Sequence, residues 1–239
     1  MTRVQWTDYE AILFDLDGVV TPTAEVHMRA WKEMFNAFLT AYDGPGDSSA
    51  YDDSDYFAHV DGKPRYDGVR DFLASRDIPA TEDLVVELGD SKNDAFNEVL
   101  ERDGVTAYPG SVLLLDHLRD LGLPLAVVSS SVNAPAVLAA AGLADRFRTV
   151  VSGAVATELG LPGKPAPDTF LHAAEVLGAT AATSVVLEDA VSGVRAGAAG
   201  SFVLVVGVDR GVGPDALTEA GATIVVADLA ELVPTGDAA

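Results

Sequence analysis

Five short apolar runs separated by stretches of helical periodicity constrain this chain more than any other feature. They are AILFDL (11–16), LPLAVVS (123–129), FRTVVS (147–152), SVVLED (184–189) and FVLVVGV (202–208). Runs so short and so continuously apolar read as strands buried on both faces. The intervening segments 111–121, 134–141, 169–178 and 190–200 read as helices, with 156–167 as a loop. Strands alternating with helices predict right-handed βαβ units and an α/β fold with a doubly wound, mostly parallel sheet.

The alternation is interrupted once. Between the first run and Tyr108 there is no strand pattern. Val26, Ala30, Trp31, Met34 and Phe38 recur at helical spacing over 23–40, and 67–76 and 82–102 are helical again. The segment YDGPGDSSAYDDSD (42–55) is rich in Gly, Ser and Asp and reads as a solvated loop; it lacks the alternating ligands and closing Glu of an EF-hand. The expected organisation is an α/β catalytic core of residues 1–20 and 107–239 with an inserted α-helical cap of residues 21–106.

Charge narrows the partners. The formal net charge is −22, which opposes binding to nucleic acid or anionic membranes. No stretch approaches the ~20 apolar residues of a membrane span. The N-terminus lacks the apolar centre of a signal peptide, so a cytoplasmic, monomeric protein acting on a small molecule is expected. There is no cysteine, which removes disulfides and thiolate metal sites. Only four lysines occur, at 32, 63, 92 and 164, so their placement is informative.

In open parallel sheets, ligands collect outside the carboxyl ends of the strands. There the first run delivers Asp15 and Asp17, the second Ser129, the loop after the third Lys164, and the fourth Glu188 and Asp189. Two acids, a hydroxyl, a lysine and two further acids on one rim describe a phosphate and Mg²⁺ site. A carboxylate approaching a phosphate dianion needs a bridging cation. Mg²⁺ takes oxygen ligands and keeps several waters, so Asp15, Asp189, Glu188 through water and the backbone carbonyl of Asp17 suffice. Lys164 and Ser129 would neutralise and orient the phosphoryl oxygens. Asp15 is then the nucleophile and Asp17 the general acid–base.

FDLDGVV (14–20), VVSSS (127–131), GKPAPDTF (163–170) and LEDAVSG (187–193) resemble the four ordered motifs of the haloacid dehalogenase superfamily. The second acid, Asp17, is similar to its phosphatase and phosphomutase branches, and the helical insert to the first cap class. Within the superfamily the chain most resembles the β-phosphoglucomutase family. The stretch DLDGVVTPTAEVHMRAWK carries that likeness through His27 and Trp31. The resemblance implies that Gly62 and Arg65 of the cap loop, the cap pair Lys92 and Asn93, and Ser131 and Asn133 of the core bind substrate; Ser130 beside them, and Lys63 as the source of charge that Val132 lacks, are further candidates. Val132 stands where the mutases carry a lysine for the second phosphate, and Pro22 replaces an acid near the hinge.

The activity implied by this resemblance is Mg²⁺-dependent phosphoryl transfer on a small sugar phosphate, converting β-glucose 1-phosphate to glucose 6-phosphate through an aspartyl-phosphate. A sugar-phosphate phosphatase on the same frame is the alternative, because water can take the place of the second hydroxyl. A non-catalytic binding protein is the more distant one.

Overall fold

The computed structural model describes residues 4–234; the outer ends of the expected core, 1–3 and 235–239, lie outside the described residues. Six strands form one parallel sheet: β1 (Ala11–Phe14), β2 (Leu125–Val128), β3 (Thr149–Val151), β4 (Ser184–Glu188), β5 (Leu204–Val208) and β6 (Ile224–Val226). Their order across the sheet is β3-β2-β1-β4-β5-β6, so the direction of winding reverses between β1 and β4. That reversal opens the crevice in which such sheets bind ligands.

Successive strand residues point to opposite faces. Ile12 and Phe14 of β1 pack with Leu114, Leu115 and Leu118 of α5 (Pro109–Asp120) and Val137 of α6 (Ala134–Ala140). Ala11 and Leu13 pack instead with Phe170 of α8 (Asp168–Leu177) and Val194 of α9 (Val191–Ala199). Both faces of the sheet are therefore covered, and the strands are mostly apolar.

The segment between β1 and α5 contains α1 (Thr23–Ala41), a single turn α2 (Asp53–Asp55), α3 (Arg65–Ser75) and α4 (Glu82–Asp103). Trp31, Phe35, Phe72 and Leu88 belong to a third apolar cluster, drawn entirely from residues 31–88. The insert thus has a core of its own.

Four elements differ from the sequence expectation. Residues 156–159 are helical, not loop: Ser152 accepts from the Val155 N–H and Gly160 closes α7 (Gly153–Leu159) in the left-handed region. The segment 42–55 is not wholly solvated. Tyr51 is buried and stacks on Phe35, while Asp52 caps the turn of α2 with a reciprocal capping box. A π-helical turn, Tyr56–Val60, follows it. Beyond the fifth strand, α10 (Pro214–Ala220) and β6 extend the sheet by one further βα unit.

Candidate active site

Strand register sets the floor of the site. Phe14 pairs with Leu187 and with Val127, and the Asp15 N–H donates to the Leu187 carbonyl at 2.9 Å. Asp15 therefore emerges level with Glu188, with Ser129 one residue beyond the end of β2.

Lys164 is 3% exposed and binds this floor together. Its Nζ donates to Asp15 Oδ1 at 2.5 Å, Glu188 Oε1 at 2.6 Å and the Val128 carbonyl at 3.0 Å. Burial alone would lower its pKa, but Asp15 and Glu188 override this and hold it above the ordinary lysine value. The sequence expectation had Lys164 facing the phosphoryl group. In this structure its ammonium is taken up by Asp15, Glu188 and the Val128 carbonyl, and it orients Asp15.

The carboxyls of Asp15 and Asp189 are pushed well up, chiefly by burial, with Glu188 adding to both. Burial likewise pushes Asp61, from the cap loop, up to about 7 beside the Tyr56 hydroxyl. One lysine thus faces four crowded acids.

Asp17 is held differently. Burial would raise it, but His27, Thr23 and Ser129 together bring it down to about 2. Thr23 Oγ1 donates to its Oδ1 at 2.5 Å and Ser129 Oγ to its Oδ2 at 3.0 Å. His27 Nε2 lies 3.3 Å from Oδ1 without the alignment of a hydrogen bond. Two carboxyls two residues apart are thereby set for different tasks.

The insert closes the opposite side of a cavity of roughly 370 Å³, the size of a small-molecule site. His27 stacks on Phe96 with ring centroids 4.0 Å apart and contacts Lys92 Nζ through Nδ1. Burial brings Lys92 down to about 7, and burial and then Lys92 lower His27. The Lys92 ammonium also sits over the Trp31 ring at 5.1 Å, so Trp31 is both cap core and cavity wall. Asn93 accepts from Asn133 Nδ2 across the cavity at 2.8 Å.

Gly62, Lys63, Arg65, Ser130 and Ser131 complete the wall, so every candidate site residue from the sequence lines the cavity except Lys164. Several are already engaged. Lys63 pairs with Asp71 at 2.5 Å, and Arg65 contacts Asp90 at 3.3 Å. Ser131 Oγ accepts from the Asn133 N–H and Ser130 Oγ donates to the Gly62 carbonyl.

Sequence reasoning missed Asp61, Tyr56, Thr23 and Arg210. Asp61 adjoins Gly62 in the cap loop, the one signal that could have found it. Arg210 follows β5; its Nε donates to the Gly18 carbonyl at 2.7 Å and its guanidinium stacks 3.9 Å over Tyr108. Nothing in its own neighbourhood of the sequence points there.

Among the described residues, no three Asp, Glu or His side chains converge closely enough to hold a metal by themselves. No helix among them is long and apolar enough to cross a membrane.

A model of the haloacid dehalogenase-like hydrolase family matches residues 9–200. The chain belongs to the haloacid dehalogenase-like hydrolase family. It is an enzyme of that family, which sets aside the non-catalytic alternative. Over 239 residues it is 47% identical to a β-phosphoglucomutase of Mycobacterium bovis, covering 93% of this chain and 91% of that protein. It is 30% identical over 204 residues to hexitol phosphatase A of Escherichia coli, covering 82% of each. A crystal structure of β-phosphoglucomutase from Clostridium difficile superimposes with a TM-score of 0.78 at 24% identity, covering 94% of this chain and 93% of that one. That likeness shows the shared fold.

Proposed function

We propose that this enzyme moves a phosphoryl group between oxygens of a small sugar phosphate, converting β-glucose 1-phosphate to glucose 6-phosphate through an aspartyl-phosphate on Asp15. The observation that carries this is the division of labour between two neighbouring acids. Asp15 is oriented by a buried lysine, and Asp17 is held apart from it by Thr23 and Ser129. The 47% identical relative supports the sugar.

The acids fit Mg²⁺. Gly18 has φ +98°, and a Cβ there would overlap the Asp189 carboxylate, so only glycine lets that acid close on the loop carrying Asp15. The crowded, uncompensated carboxyls need positive charge. Asp15, Asp189 and the Asp17 carbonyl would hold the ion, with Glu188 through water; substrate phosphate and waters complete such sites, so a side-chain cage is unnecessary. When bound, the ion neutralises phosphoryl charge and permits anion to approach anion.

Asp15 Oδ attacks phosphorus at the C1 position of glucose 1,6-bisphosphate, the bond from phosphorus to the sugar oxygen breaks, and Asp17 delivers a proton to that oxygen, leaving glucose 6-phosphate. In the second half, the C6 hydroxyl of β-glucose 1-phosphate gives its proton to Asp17 and its oxygen takes the phosphoryl group, restoring Asp15 and re-forming the bisphosphate. Held at about 2, the Asp17 carboxyl is ionised in this arrangement and is ready for the second role. Asp17→Asn is expected to slow turnover by roughly 10²–10⁴-fold, the usual size of general acid–base catalysis. An unchanged single-turnover rate would remove Asp17 from the chemistry.

Cap residues His27, Trp31, Lys63, Arg65, Lys92 and Asn93 and core residues Ser131 and Asn133 bind the sugar and its distal phosphate. The cap is residues 21–106, on a core of 1–20 and 107–239. The protein acts in the cytoplasm as a monomer on this small molecule, not on nucleic acid or membranes.

Hydrolysis is the second reading, favoured by Val132, which lines the cavity where a cation would strengthen the hold on a bisphosphate. Measuring both products from β-glucose 1-phosphate with Mg²⁺ separates the two. Glucose 6-phosphate is expected to dominate and to depend on a trace of glucose 1,6-bisphosphate. Free phosphate dominating would make the enzyme a phosphatase.

A further inference from the structure

The three serines of VVSSS have three destinations. Ser129 donates to Asp17 and accepts from the Ser131 N–H; Ser131 accepts from the Asn133 N–H. Only Ser130 reaches out of the core, donating to the Gly62 carbonyl of the cap loop at 2.8 Å. From α9, Ser192 donates to the preceding carbonyl, Asp61, also at 2.8 Å. Ser192 is the second residue of α9, whose N-cap is Ala190, and its hydroxyl goes to the insert.

Two consecutive carbonyls of one loop are therefore gripped by hydroxyls from two different parts of the core, the loop after β2 and the first turn of α9. The fit is close: Gly62 has φ +67°, and a Cβ there would overlap Ser192 Oγ and come within 2.7 Å of Ala190 Cβ. A Cβ on Gly163 would likewise overlap Pro64. The core itself does not need either bond, since both acceptors belong to the insert.

We infer that Ser130 and Ser192 form a clasp that holds the cap loop shut over the cavity and fixes Asp61 in its wall. They are positioning residues, acting through the loop. When the cap opens, water takes over all four groups, so each bond adds modestly to closure. Losing a hydroxyl also strands a carbonyl in the closed form, and lowers the closed-to-open ratio roughly five-fold or more. The consequence for product depends on the proposed phosphoryl transfer: a looser cap admits water to the aspartyl-phosphate and raises the share of free phosphate. The clasp itself is measurable without turnover.

The chain has no cysteine, so labels can be placed cleanly. Spin labels at Val86→Cys on α4 and Leu159→Cys on α7, both exposed positions, report the separation of cap and core by pulsed dipolar spectroscopy. The labelled parent is expected to show a population at the separation of the enclosed form. Ser192→Ala, and more strongly Ser130→Ala/Ser192→Ala, should move it to longer distances. A parent without that population, or a Ser192→Ala distribution unchanged from the parent, would overturn the clasp whatever the activity. A shifted distribution with an unaltered product split would uphold the clasp and count against the mutase chemistry.

Discussion

Asp15→Asn is expected to lower turnover of phosphate esters by roughly 10⁶-fold, the scale on which losing a covalent nucleophile is felt. Asparagine keeps the shape and one oxygen of Asp15 but cannot form the acyl phosphate. The substitution removes one of the crowded acids around Lys164 and leaves the lysine paired with Glu188 at 2.6 Å. The fold should therefore survive, with the melting midpoint moving by a few degrees at about 2–4 °C per kcal/mol for a chain of this size. Phosphate release and glucose 6-phosphate formation, measured alongside a thermal melt, separate the two effects. Retained turnover would mean that the nucleophile lies elsewhere; lost turnover in an unfolded protein would say nothing of chemistry, which is why the melt accompanies the assay.

The largest expected effect on stability comes from Lys164→Met. The lysine side chain is buried between two acids that are themselves nearly inaccessible, with side-chain exposures of 1% for Lys164, 8% for Asp15 and 0% for Glu188. Removing the cation from a buried group of this kind leaves uncompensated charge, at a cost of about 3–5 kcal/mol. Denaturant unfolding at neutral pH should show it. Because the folded pKa of Lys164 is raised, its contribution is complete below the unfolded value of about 10.4 and is lost only as pH rises through the folded one. The lysine's own contribution is therefore complete across the neutral range. Adding Glu188→Gln to Lys164→Met should restore part of the lost stability, since the second substitution deletes a stranded charge. Full stability in the single variant would mean that the acids of the floor are held by something other than the lysine.

Much of the rim was legible because it rests on strand ends. A parallel strand shows itself as an apolar run, and the residue after it must lie at the carboxyl edge of the sheet. Asp15, Ser129, Glu188 and Asp189 were found in that way, and parallel register then places them side by side. The arrangement of Asp17 was less legible. Its pairing with Thr23 and Ser129 depends on how the chain turns after Gly18 and enters α1, a conformation that periodicity does not encode.

Lys164 shows a different limit. Its position in the chain placed it at the site, but its simultaneous pairing with Asp15 and Glu188 depends on burial, a tertiary property. Asp61 was hidden for the same reason, as a loop acid on an acidic protein becomes distinctive only when packing drives it against other acids. Strand β6 is three residues long at the sheet edge, with two of them only partly buried, so its apolar signal is weak. The segment 153–159 misled because its start is set by a serine cap and its end by a glycine, with little apolar periodicity between.

The most direct test is to find the phosphoryl group. The enzyme would be mixed with Mg²⁺ and glucose 1,6-bisphosphate, quenched within a turnover and reduced with borohydride, which converts an aspartyl-phosphate to homoserine; the digested chain would then be read by mass spectrometry. The expected result is homoserine at position 15 and at no other aspartate, lost in Asp15→Asn. Turnover without modification of Asp15, or with the mark on another residue, would contradict the aspartyl-phosphate mechanism.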